Sequence, residues 1–128
     1  MSSKIYLRSM AAFWLVFGLI TTFYPTLMNL FLSEKGINQS TAFSNHVWFH
    51  GGLDILALVV VLFTLSTENI SRKVLKGISI AALGPTIAIV YSLLFTTYWS
   101  NLFILSGLGT FSFFVWGMLL SNKKENRA

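Results

Sequence analysis

The residues that could do chemistry sit close together. The segment His46-Val47-Trp48-Phe49-His50-Gly51-Gly52-Leu53-Asp54 holds both histidines of the chain and one of its four acids. Its polar groups fall at i, i+4 and i+8, so on a helix they line one face over about two turns. A carboxylate one turn from an imidazole can hold a proton, a cationic group or a hydrogen-bonding ligand. Two His one turn apart also suit a divalent metal, but such a site normally takes three or four ligands. Asp54 lies two turns beyond His46, too far for one ion to take all three. No metal is therefore predicted, and His46 with His50 is the only pairing that would suit one.

Other segments must supply partners for an acid placed there. The groups of the right type are Tyr24, Asn29, Tyr91, Ser92, Thr96 and Asn101. The candidate ligand-binding set is His46, His50, Asp54, Tyr24, Tyr91 and Asn101. Three readings fit it: a buried polar clasp that only holds the fold, a ligand pocket in the outer half of the molecule, and a metal site. Gly51-Gly52 adds to the first two. Each Gly costs about 1 kcal/mol relative to Ala inside a helix, so the pair marks close helix contact or a thin wall beside a pocket.

The elements that carry these residues follow from composition. Of 128 residues, 55% are hydrophobic and 10% are charged, against about 25% charged in an ordinary soluble domain. Mean hydropathy is +0.71. So little charge cannot wet a soluble monomer, and so much apolar residue excludes disorder. Four apolar segments stand out, at about 5–31, 46–66, 74–96 and 101–120. A helix crosses the bilayer core in about 20 residues, and only helices or closed barrels satisfy backbone groups there. The expected fold is all-α: a single integral-membrane domain, an antiparallel bundle of four transmembrane helices. Pro25 should bend the first segment or end it in a short turn over Thr26–Leu32. Pro85, after Gly84, should kink the third. Short polar connections imply that sequential helices are neighbours.

Asp54 is the only acid inside any of these segments. An ionised Asp at a helix centre costs about 2.5–3.5 kcal/mol on insertion scales, so it should face the bundle or a wet cavity. Gly77, Ala81, Gly84 and Ala88 form one stripe of small residues, as do Ser106, Thr110 and Gly117, and small residues let membrane helices approach closely.

Net charge is +5. The basic residues fall between apolar runs, so they read as orienting charge rather than a nucleic-acid surface. Lys4, Arg8, Arg72, Lys73, Lys76, Lys123, Lys124 and Arg127 share one side, and Lys35 alone lies on the other. Both termini are thus expected in the cytoplasm, with an uncleaved first span. Tyr24, Trp48, Tyr98 and Trp99 fall at the outer boundary. With no Cys, disulfides and thiol redox chemistry are excluded. Asn38-Gln39-Ser40 and Asn69-Ile70-Ser71 match the glycosylation acceptor, a short pattern that arises often by chance. Phosphate-binding Gly loop, nucleophile elbow and HExxH are all missing.

Phe17-Gly18-Leu19-Ile20 with Tyr24-Pro25, followed by Gly52-Leu53-Asp54-Ile55-Leu56-Ala57-Leu58, resembles the DoxX-like superfamily of small four-helix bacterial membrane proteins. Many members have a Gly-x-Arg-Asp-Leu-Ala-type segment at the second position. Leu53 stands where that Arg would be, so an intramembrane Arg–Asp pair is not carried over. The resemblance implies a four-helix fold in the bacterial inner membrane and a loose link to quinone or redox complexes. Sterol-isomerase-like bundles have more pocket acids, and small multidrug transporters have a Glu in span one that this chain lacks.

The function expected from these residues is that of a non-enzymatic accessory or ligand-binding membrane protein. The alternatives are an enzyme on a quinone, isoprenoid or other lipid-soluble substrate, with His50 or Asp54 as general acid/base, and a dimeric proton-coupled transporter. No cofactor is predicted, a quinone or lipid being the compatible kind. The partners expected are the bilayer and either a membrane protein or a second copy, and no nucleic acid.

Overall fold

A computed structural model describes residues 2–38 and 42–122, except the side chains of 38 and 42–47. The described chain is helical: α1 (Ser3–Phe23), a 3₁₀ segment (Pro25–Phe31), α2 (Glu34–Asn38), α3 (Ala42–Leu65), α4 (Arg72–Ala81), α5 (Leu83–Phe95) and α6 (Phe103–Ser121). Four stretches are long and apolar enough to cross a membrane: Ser3–Phe23, Trp48–Thr67, Arg72–Phe95 and Phe103–Ser121.

The two prolines act at different distances. Residues before proline are pushed out of the helical region. Tyr24 accordingly leaves it (φ −134°, ψ 54°), and α1 stops at Phe23. Pro25 then opens the 3₁₀ segment, where no N–H is required of it. The apolar run expected as one span to residue 31 is therefore a span ending at Phe23 plus this short turn. Pro85 has no N–H for the carbonyl four residues back and its ring crowds that turn. The helix breaks at Ala82, between α4 and α5. Ser2 and Ser71 cap α1 and α4, their hydroxyls accepting from the N–H of Ile5 and Val74 at 3.4 and 3.3 Å.

Close approach is built from residues lacking bulk. On α3, Gly52 lies against Thr21 and Thr22 of α1, and a Cβ there would stand 2.8 Å from the Thr22 backbone nitrogen. One turn on, Gly18 receives the side chains of Ile55 and Leu56. On α6, Gly117 leaves room for Ser79 of α4 and the Tyr6 hydroxyl of α1. Tyr6 donates to the Ser79 hydroxyl at 3.5 Å, and Thr86 and Thr110 join α5 to α6 at 2.7 Å. These pairings make α1 antiparallel to both α3 and α6, and α4–α5 antiparallel to α6.

The helices thus follow the spatial order α3, α1, α6, α4–α5. α3 packs on α1, α4 and α5 pack on α6, and α1 meets α6, whereas α3 and α5 make no more than marginal contact. Sequential neighbours were expected throughout, and this pair departs from that rule. A core of Tyr6, Leu7, Met10, Ala11, Leu62, Leu75 and Ala82 closes the end where α1 and α4 begin. The other end is stitched by loops. Ser33 donates through its hydroxyl to the Thr97 carbonyl at 2.5 Å and through its N–H to the Tyr98 carbonyl at 2.8 Å. Ser100 donates in turn to the carbonyls of Phe31 and Leu30.

Candidate functional site

The residues singled out from the sequence do not converge. Asp54 and His50 are exposed on α3. The inward face of that helix is Gly52, Ile55, Val59, Leu62 and Ser66, and at 100° per residue the mean direction of His50 and Asp54 lies well away from it. Tyr24 and Tyr91 are 63% and 60% exposed, and Asn101 is exposed as well. The side chain of His46 lies outside the described residues. Within one chain, Asp54 therefore does not face an interior cavity. The physical reason is that α3 turns its glycine face, not its acid face, to α1. Among the described residues no three His, Cys, Asp or Glu side chains gather in a way that could hold a metal.

The structure instead assembles a cavity on different side chains. α3 and α5 do not close on each other, so a hollow of about 370 Å³ remains between them above a floor of α1 and α6. Rings dominate the floor and upper wall: Phe13, Trp14 and Phe17 from α1, and Trp99 with Phe103 near the start of α6. Trp99 and Phe103 stack at 4.1 Å and 11°, Trp48 of α3 meets Trp99 edge-on at 5.9 Å, and Phe13 tilts against Phe17 at 5.1 Å. Ile55 of α3 and Pro85, Ala88 and Ile89 of α5 form the flanks. The loop clasp from Ser33 and Ser100 holds Trp99 at the head of this chamber.

Few polar groups reach the hollow. Thr21 lines it but spends its hydroxyl on the Phe17 carbonyl at 2.8 Å, and Thr110 is paired with Thr86. Two groups are different. Trp14 Nε1 and Ser106 Oγ are buried with no hydrogen-bond partner among the described residues. Ser106 is 6% exposed, and both residues line the cavity. An unmade hydrogen bond at a buried site costs about 1–3 kcal/mol, so two in one chamber mark a place that a bound group would complete. Indole N–H is a donor only, and a serine hydroxyl both donates and accepts. The described lining contains no Asp, Glu, His, Lys or Arg.

Sequence reasoning read Ser106 as packing and did not single out Trp14. Its available signal was the run of rings at helical spacing, Phe13, Trp14 and Phe17, opposite Trp99 and Phe103. Such runs are ordinary in apolar helices, and only the gap between α3 and α5 gives these rings a shared void.

The chain matches no family model, and comparison with curated proteins and with solved structures finds no similar chain. Function is therefore argued from the cavity alone.

Proposed function

We propose that the chain is an integral membrane protein that holds a flat, membrane-dissolved ligand carrying a hydrogen-bond acceptor, and does no covalent chemistry on it. The observation that carries this reading is the pair of unpartnered buried groups, Trp14 Nε1 and Ser106 Oγ, on the wall of an aromatic cavity. A volume of about 370 Å³ falls in the usual range for small-molecule sites, which are mostly apolar with a few placed polar groups. Offset and edge-on ring contacts favour a planar guest. A donor on the wall selects a carbonyl or ether oxygen on that guest. Quinones and oxygenated isoprenoids have this chemistry. With no acid or base in the described lining, general acid–base catalysis has no group to perform it. This leaves a binding or accessory role.

The DoxX-like resemblance agrees with a four-span bacterial inner-membrane protein of this kind. The charge bias supports cytoplasmic termini, which would put the cavity in the outer half of the bilayer.

Native mass spectrometry of gently extracted protein tests the reading. A small lipid-soluble molecule should be retained near one per chain and lost from Ala88→Trp, which fills the flank. Ser106→Ala should weaken retention by about tenfold, one hydrogen bond's worth, while leaving the unliganded protein at least as stable. An empty wild-type protein that also fails to bind added menadione would overturn the reading.

A further inference from the structure

The exposed face of α3 has a pattern the cavity does not use. His50, Asp54, Ala57, Val61 and Thr64 are all exposed. Their spacing is four, three, four, three, which is a repeat of 3.5 residues and the signature of a left-handed helix seam. Beyond the acid the seam is made of small or β-branched side chains, which let two membrane helices close. α3 packs on α1 and touches the 3₁₀ segment, and nothing else in the described chain covers this face by more than marginal contact. Gly51 on its flank has open space around it.

We infer that this seam is the contact between two copies of the chain, related by a two-fold axis along the membrane normal. The argument is charge complementarity with itself. An acid and an imidazole four residues apart form a self-complementary face, which is what a two-fold interface requires. Both copies insert in the same direction under the same charge bias, so the two α3 helices run parallel. Each Asp54 then lies one layer from the His50 of the second copy, and the pairing occurs twice. A contact within one helix fills only some of a carboxylate's acceptor sites, and the second copy supplies more donors. The chain offers no Lys or Arg in Trp48–Thr67 that could do this instead. The inference rests on the α3 seam and is independent of the cavity.

The absence of Cys makes the test clean. Full-length Ala57→Cys and Val61→Cys on the seam, and Val60→Cys and Phe63→Cys off it, are exposed positions that leave the fold intact. Each is reconstituted in phosphatidylcholine vesicles and oxidised. Seam variants should form disulfide dimers at least tenfold faster than the others. In a fluorescence-transfer assay, Asp54→Leu and His50→Leu should each weaken self-association about tenfold, and the exchange His50→Asp with Asp54→His should recover most of it. Equal cross-linking on and off the seam would overturn the proposal. So would a protein monomeric at every protein-to-lipid ratio, which would leave a different membrane helix bearing a basic residue as the occupant.

Discussion

Gly51 and Gly52 are neighbours with opposite jobs. Gly52 faces α1, and any side chain there meets Thr21 Oγ1 at 2.7 Å and the Thr22 backbone. Gly51 has nothing within 4 Å of where a Cβ would stand. Gly52→Ala should therefore lower stability by about 1–3 kcal/mol, the usual cost of overpacking. Gly51→Ala should raise it by about 0.5–1 kcal/mol through helix propensity alone. Thermal unfolding of the two variants in one detergent checks both signs. From sequence the pair reads as one feature, because identical residues carry no mark of which way each faces.

At the scale of elements, the loops do more than connect. The Ser33 hydroxyl and N–H hold the strand-like crossing of Leu32 and Trp99, the one isolated bridge among the described residues. Gly36 lies against the Tyr98 carbonyl, and the Lys35 ammonium stands 5.3 Å from the Tyr98 ring. Ser33→Ala removes one side-chain bond worth about 0.5–1.5 kcal/mol. Amide exchange at Tyr98 and Ser100 should quicken by about tenfold in that variant, with α6 beyond Ser106 unchanged. An unchanged rate would show that the backbone bonds alone hold the clasp. The two proline breaks were legible in the sequence, since a missing N–H has the same effect wherever it occurs. The small-residue stripes were legible only in part. Ser106, Thr110 and Gly117 are buried as a packing stripe should be. Gly77, Ala81, Gly84 and Ala88 are exposed, and α4–α5 turns Leu75, Ser79, Ala82 and Ile89 inward instead.

For the whole molecule, the order α3, α1, α6, α4–α5 leaves the two outer helices unclosed, and this gap is the cavity. Burial inside the chain is low along three of the four candidate spans, 17–22% against 39% for the first. Leu94 and Phe95 are each 71% exposed. Surfaces this apolar belong in lipid. The protein should remain in the membrane pellet after alkaline carbonate extraction, and a C-terminal reporter should read as cytoplasmic. Release into the supernatant would contradict the four spans. An external reporter would leave them intact and invert the orientation.

The sequence by itself determined the class of structure. Long uncharged runs, scarce polar connectors and one-sided basic residues dictate helices of membrane-crossing length, because no other backbone arrangement leaves its hydrogen bonds satisfied in lipid. It also marked Asp54 as the one acid within them. Which face of each helix turns inward was decided by the tertiary structure alone. A helix in water announces its buried face by an apolar stripe, but α3 and α6 are apolar all round, and lipid is as apolar as a neighbouring helix. What chose the faces was local shape: a glycine at Gly52 and another at Gly117, and the space each leaves for its partner. That choice put His50 and Asp54 outside, and it gave Trp14 and Ser106 a chamber to share.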